Sequence, residues 1–195
     1  WGYIDQPPLS IVLLTLVQKL SGDNMLAIRF LPALSIAATM FVTGLIARQL
    51  GGSLRSMLLS SLAVMVMPVL MVFGSFYSMN AYEPLLFTTI AFFVVKMLQQ
   101  QNARYWLMVG ILFGLGLQMK HTMVLYGLAL VIGLLCTPQR KLLWNRWVIW
   151  GFLACFLIIL PNLVWEVVNR FPTLELYHNS FVYKNIPKPA LQIIA

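Results

Sequence analysis

The sequence contains little charge. Only 9% of its 195 residues are Asp, Glu, Lys or Arg, whereas an ordinary soluble domain is about a quarter charged. Hydrophobic residues make up 61% of the chain, and the mean hydropathy is +0.86. Because so little polar surface cannot cover a water-soluble globule, we expect a lipid bilayer to be the solvent around much of this chain.

Cysteine and acidic residues are also scarce. Cys136 and Cys155 are the only cysteines, and they lack the spacing partners of a disulfide framework or a zinc motif. Five acids stand against 13 Lys and Arg, a net charge of +8. These cations are spread over short loops, which excludes nucleic acid as an expected partner. No signal peptide follows Trp1, and we expect the chain to be part of a longer membrane protein.

Hydrophobic runs dominate the rest of the pattern and predict an all-α, polytopic transmembrane helix bundle. Residues 1–29 are expected to form an outer loop with an interfacial helix at 9–20, and residues 165–195 a second outer loop with short surface helices. Pro68 predicts a kink in the second span. About six spans are expected between residues 30 and 164, at roughly 30–47, 57–76, 85–98, 106–119, 123–136 and 147–164.

The third, fourth and fifth of these stretches are short. Fourteen residues reach roughly 21 Å as a helix, less than the ~30 Å hydrocarbon core, so length alone also allows buried core helices. Aromatic residues at their flanks, including Tyr82, Tyr105 and Trp106, favour membrane spans. Gly110 and Gly114 have the small-residue spacing that lets membrane helices pack closely.

The distribution of charge predicts the orientation. If the spans alternate, one side of the membrane receives seven cations and no acid, and the positive-inside rule makes that side cytoplasmic. The other side receives all five acids together with six cations, so it is predicted to be extracytoplasmic. The seven cations are Arg48, Arg55, Lys96, Arg104, Arg140, Lys141 and Arg146, and the five acids are Asp5, Asp23, Glu83, Glu166 and Glu175.

Ionisable residues on the acidic side are candidates for function, because charges at the edge of a membrane are costly. Asp5 is displayed on a stiff segment before Pro7 and Pro8. Glu83 precedes Pro84, where simple helix capping is an equally good explanation. Lys120 could bind a ligand or only complement a helix end. His121 could contact a lipid headgroup, and His178 taken alone is more typical of a surface residue.

Several stretches in order resemble the polytopic glycosyltransferases of the GT-C fold, of the dolichyl-phosphate-mannose–protein mannosyltransferase and aminoarabinose transferase type. The likeness covers essentially the whole chain and favours the bacterial branch. The first stretch, residues 2–9, is similar to the family's aromatic-x-acid-x-Pro-Pro-Leu signature. The other stretches are Arg29-Phe30-Leu31-Pro32, Asn80-Ala81-Tyr82-Glu83-Pro84, Gln118-Met119-Lys120-His121-Thr122, Pro161-Asn162-Leu163-Val164-Trp165 and Phe171-Pro172-Thr173-Leu174.

This resemblance implies an enzyme that moves a sugar from a polyprenyl-phosphate donor to a lipid, glycan or protein acceptor on the outer side of the membrane. Lys120 would stabilise the departing phosphate, and Glu83 would hold Lys120 or the donor sugar. Asp5 is the catalytic candidate within the chain. The family's principal base lies upstream of this signature, so we expect the chain alone to be inactive.

The resemblance also suggests a divalent metal, such as Zn, Mg or Mn. Asp5 aligns with an acid that shares a metal with a later histidine in the aminoarabinose branch, and His178 stands near that histidine's position. Gln6 occupies the place of a phosphate-binding lysine in that branch, which shifts phosphate binding toward Lys120. His121 is a further candidate for substrate binding.

Two other functions fit an integral membrane protein of this composition. A transporter or flippase for a lipid-linked or polar solute also carries intramembrane charges. Transporters, however, place such charges near the bilayer midplane and often contain inverted repeats, and we find no convincing repeat. A noncatalytic membrane subunit is the third possibility. We expect a multi-pass protein of the bacterial inner membrane whose site faces the periplasm or exterior.

Overall fold

The chain is all-α in the computed structural model, which describes residues 6–184. No strand occurs in this range, and the all-α membrane bundle predicted from the sequence is confirmed. The helices are α1 (Leu9–Ser21), α2 (Met25–Gln49), α3 (Leu54–Met65), α4 (Pro68–Ser75), α5 (Glu83–Gln100), α6 (Tyr105–Leu117), α7 (Met123–Leu135), α8 (Arg146–Val168) and α9 (Pro172–Lys184). Two 3₁₀ segments, Met79–Ala81 and Pro138–Leu143, lie in the connections.

Local chemistry explains several of the helix boundaries. The Asn24, Ser53 and Asn145 side chains accept hydrogen bonds from the first turns of α2, α3 and α8, as N-cap residues do. Pro68 does more than kink the second predicted span. The chain breaks at Val66 and Met67, and α4 restarts at Pro68 with a bend of 65° from α3, because proline favours the first turn of a helix over its interior.

By length and composition, the described residues contain three candidate spans, or four if the bent pair α3–α4 counts as one. The three are α2, α8 and the segment Met79–Gln100 that includes α5. About six spans were expected from the sequence. The difference comes from α6 and α7, whose 13 residues each reach only about 20 Å. Helix α1 is also short and apolar, as expected for an interfacial helix.

Hydrogen bonds between loops define two ends of the bundle. At one end, the side chain of Gln49 donates to Gln99 Oε1 at 2.6 Å, and that of Gln101 donates to Gln139 Oε1 at 3.1 Å. At the other end, the Leu9 N–H donates to the Gln118 carbonyl at 3.0 Å. We call the first the glutamine end and the second the Lys120 end. The seven cations of the predicted cytoplasmic side belong to the segments that meet at the glutamine end.

Helices α6 and α8 run parallel and make the closest helix contact in the bundle. A Cβ built at Gly110 would lie 2.0 Å from the Gly151 carbonyl oxygen, and one at Gly151 would lie 2.4 Å from that of Trp106. There is thus no room for a side chain at either glycine, and the two helix backbones are in direct contact. Small residues favour the packing of membrane helices by allowing this close approach. This contact fixes α8 beside α6, the helix that leads into the turn containing Lys120.

We therefore expect Gly110→Ala to destabilise the protein by about 1–3 kcal/mol or more, because the new methyl group meets backbone that cannot rotate away. Gly133→Ala in α7 is the matched control, since a Cβ there has nothing within 4 Å. Unfolding of the purified protein in mixed micelles with SDS measures both changes. A Gly110→Ala protein as stable as the Gly133→Ala protein would contradict the close α6–α8 contact.

Candidate functional site

The candidate site at the Lys120 end begins with the segment that leads into α5. The 3₁₀ turn Met79–Ala81 precedes Glu83, the first residue of α5, and Pro84 follows in its first turn. Ser35 of α2 donates a hydrogen bond to the Ala81 carbonyl at 2.9 Å, which anchors the turn to the bundle. A carboxylate at this position is stabilised by the positive end of the helix.

The second part of the site is the turn between α6 and α7, at residues 118–122. Hydrogen bonds hold this turn from three directions. The Lys120 N–H donates to the Gly116 carbonyl at 2.9 Å, and the Gln118 side chain donates to the Ile158 carbonyl of α8 at 2.8 Å. The Leu9 N–H, at the start of α1, donates to the Gln118 carbonyl. A turn tied to three helices presents its side chains in fixed positions.

Lys120 bridges these two parts. Its Nζ donates to Glu83 Oε2 and to Asn80 Oδ1, each at 2.9 Å. The pair with Glu83 is the only ion pair found within residues 6–184. Both partners are partly buried, with side-chain exposures of 27% for Lys120 and 15% for Glu83. Thr122 donates a short hydrogen bond to the other carboxylate oxygen of Glu83.

The two charged residues of this network, Glu83 and Lys120, differ in the hydrogen bonds that they can still make. Each oxygen of Glu83 already accepts one hydrogen bond, from Lys120 or from Thr122. The ammonium of Lys120 has three donors, of which Glu83 and Asn80 occupy two. The arrangement therefore offers a cationic N–H to an incoming anion and keeps the carboxylate engaged as a support for that cation.

His121 links the turn to α9. Its Nδ1 lies 3.2 Å from the Tyr177 hydroxyl, and the two rings meet edge to face. Burial disfavours the charged imidazolium and lowers the pKa of His121, and the charge of Glu166 opposes part of this effect. The balance of these effects favours the neutral imidazole. Glu166, near the end of α8, also binds Thr173 in the first turn of α9, so α9 is fixed at two points.

The remaining predicted site residues are placed less centrally or lie outside the described part. Gln6 is half-buried and stands three residues before Leu9, which bonds to the 118–122 turn. His178 is exposed on α9, next to Tyr177. Asp5, the catalytic and metal candidate, lies outside the described residues. The structure thus brings Lys120, Glu83 and His121 to one end of the bundle.

A metal site does not emerge from the described residues. Within residues 6–184, no three His, Cys, Asp or Glu side chains lie close enough to hold an ion. The sequence also predicted that Asp5 and His178 share a metal, and Asp5 lies outside the described residues. The residues that are described do not by themselves provide a metal ligand set.

Three residues of this region had no role in the sequence interpretation: Asn80, Thr122 and Tyr177. Asn80 and Thr122 stand within stretches that carry the family resemblance, three residues before Glu83 and two after Lys120. Their proximity to those charges was a signal that could have identified them. Tyr177 lies 56 positions from His121, and no local pattern marks their contact.

Comparison with known families gives one clear match. The model of the dolichyl-phosphate-mannose-protein mannosyltransferase family matches residues 5–165. This range includes α1–α7, most of α8 and the whole Lys120–Glu83 network. Neither the curated proteins nor the solved structures give a significant match.

Proposed function

The chain belongs to the dolichyl-phosphate-mannose-protein mannosyltransferase family, and from this premise we propose that it transfers a sugar from a polyprenyl-phosphate donor at its Lys120 end. Family membership makes it a membrane glycosyltransferase of the GT-C type, related to mannosyltransferases. The observation that carries the proposed site is the 2.9 Å pair of Lys120 and Glu83, at the end of the bundle remote from the seven cations.

The proposed reaction is a displacement at the anomeric carbon of the donor sugar. The acceptor oxygen forms a bond to that carbon, the bond from the carbon to the phosphate oxygen breaks, and its electron pair stays on the phosphate. Lys120 stabilises the negative charge that develops on this oxygen, as a positioned cation does in a site of low dielectric. The proton of the acceptor hydroxyl passes to a carboxylate, and Asp5 is the candidate that this chain offers.

Glu83 has a supporting role in this proposal. Its two oxygens accept hydrogen bonds from Lys120 and Thr122, and we assign it to holding the cation and not to receiving the proton of the acceptor. Its position instead fixes the Lys120 ammonium, which would otherwise be a flexible point charge. Asn80 adds a second constraint from the preceding turn. Gln6 and His121 are proposed to contact the donor.

The orientation proposed from the sequence is compatible with the two ends of the bundle. The glutamine end carries the uncompensated cations and would face the cytoplasm under the positive-inside rule. The Lys120 end would then face the periplasm or exterior, where a lipid-linked donor and a glycan or protein acceptor would meet. We propose the bacterial inner membrane as the location.

We expect Lys120→Ala in the full-length protein to lower sugar transfer by about 100-fold or more, because the developing phosphate charge loses its cation. Asp5→Asn should have an effect of similar size. Transfer from a radiolabelled polyprenyl-phosphate sugar in membrane vesicles measures the rate. Lys19→Ala, an exposed lysine at the end of α1, is the control and should retain normal activity. Normal turnover by both site variants would refute the assignment.

Thr122 tests the supporting role of Glu83 separately. In Thr122→Val one oxygen of Glu83 loses its donor, so the carboxylate can rotate and Lys120 loses its fixed position. We expect kcat to fall by about tenfold, the order of one lost hydrogen bond to a charged group, with little change in KM. Thr122→Ser should restore most of the rate because it keeps the hydroxyl. Equal activity of the Val and Ser variants would exclude this role.

A metal remains a separate proposal that rests on the resemblance alone. Asp5 and His178 would contribute ligands to a divalent ion, which supplies charge stabilisation when bound. If the metal is required, exhaustive chelation with EDTA abolishes transfer, readdition of Zn²⁺, Mg²⁺ or Mn²⁺ restores it, and His178→Ala weakens the restoration. An undiminished rate after chelation, with Lys120→Ala still inactive, would remove the metal and leave the proposed transferase intact.

A further inference from the structure

Within residues 6–184, the positive charge of the glutamine end has no compensating carboxylate. Seven cations belong to its loops and helix ends, and none of the acids in the described range does. The described acids Asp23, Glu83, Glu166 and Glu175 all lie in segments of the Lys120 end. Like charges held close together repel one another, so this surface is incomplete without counterions.

Aromatic rings take the place of carboxylates at this end. The Cζ atoms of Arg104 and Arg146 lie 5.8 Å and 6.0 Å from the centre of the same Trp147 ring. The Nζ atom of Lys96 lies 5.2 Å from the ring centre of Phe92 and 5.8 Å from that of Tyr105. Exposed contacts of this kind stabilise a cation only weakly. The rings therefore orient the cations without neutralising them.

The loops that carry these cations are fixed relative to one another. The bond between Gln101 and Gln139 joins the loop before α6 to the 3₁₀ segment Pro138–Leu143. The indole N–H of the buried Trp106 donates to the Leu142 carbonyl at 2.9 Å. Arg104 is the residue directly before α6, and Arg146 is the first residue of α8. Both guanidinium groups are thus presented by ordered helix starts.

The surroundings identify the level of the membrane at which this pair lies. Trp144 is 85% exposed, and Trp147 and Trp150 follow it on the first turns of α8. Tryptophan is enriched at the interface between headgroups and acyl chains, where one side of the ring is apolar and the other is wet. An anion that reaches Arg104 and Arg146 at this level would be a lipid headgroup in the plane of the membrane.

From these observations we propose that Arg104, Arg146 and Trp147 form a binding site for the headgroup of an anionic phospholipid. A guanidinium binds phosphate oxygens through two parallel donors. The two Cζ atoms lie 5.8 Å and 6.0 Å from the same ring centre, so they are within about 12 Å of each other, and each guanidinium can reach a different oxygen of a single headgroup. The site is independent of the proposed transferase, because it lies at the opposite end from Lys120.

Native mass spectrometry of the full-length protein in detergent can count the bound lipid. The probe is dioleoylphosphatidylglycerol, with dioleoylphosphatidylcholine as the neutral comparison. We expect the double variant Arg104→Gln/Arg146→Gln to lose phosphatidylglycerol affinity by about tenfold or more, because the headgroup loses its charge-assisted hydrogen bonds to both guanidinium groups. The control is Arg48→Gln/Arg55→Gln, which removes the same charge from the same end but leaves the Trp147 pair intact. It should change affinity less than about twofold, because surface charge alone acts diffusely.

Three results would overturn the proposal. Equal losses in the two double variants would show general attraction to a basic surface instead of a site. Full retention of phosphatidylglycerol by the Arg104→Gln/Arg146→Gln protein would show that the pair does not bind it. Displacement of the lipid by millimolar inorganic phosphate would identify free phosphate as the ligand. Both double variants change exposed residues, and unchanged helical circular dichroism verifies that they fold.

Discussion

The pairing of Lys120 with Glu83 joins two segments that the chain separates by 37 residues, and the geometry of the Lys120 end depends on it. An ion pair that is fully exposed to solvent contributes little to folding stability. A fully buried pair loses much of its Coulomb energy to the desolvation of its two charges. This pair lies between those limits, with both side chains partly buried. Its main effect is therefore positional: it holds one cation where α5, α6 and α7 meet. Removal of Glu83 would leave Lys120 charged, partly desolvated and free to move.

The scarcity of charge explains why the ends of this bundle carry its chemistry. Groups within the hydrocarbon core must be apolar or satisfied internally, so α6 and α8 pack through glycines such as Gly110 and Gly151. Within the described residues 6–184, every acid and nearly every cation lies in a loop or in the first or last turn of a helix. Membrane insertion therefore confines the charged residues to the two ends of the bundle. The close packing of α6 on α8 then holds the ends of these two helices in fixed positions.

The features that could be predicted from the sequence are those that depend on neighbouring residues along the chain. Hydrophobic runs identified the helices because a bilayer imposes one pattern on every span, and the acid before Pro84 and the lysine after α6 were recognisable from their places at helix ends. The break at Pro68 was underestimated, because sequence does not show whether neighbours support a kinked helix or a bent pair. Tyr177 was missed for a different reason. Its role depends on the partner that the fold brings near it, His121, which lies 56 positions away along the chain.

The two ends show two ways to hold a cation in a protein with few acids. At the Lys120 end a carboxylate and an amide fix one ammonium and leave it a donor to spare, which suits a charge that must meet a transient anion without binding it too tightly. At the glutamine end indole and phenyl rings orient several cations and neutralise none, which suits permanent contact with an anionic surface. If Lys120 acts as proposed, the phosphate must leave it at each turnover, and a carboxylate that competes for the ammonium favours this release. Cations that contact a lipid headgroup benefit from having no such competitor, and the placement of the described acids is consistent with this difference.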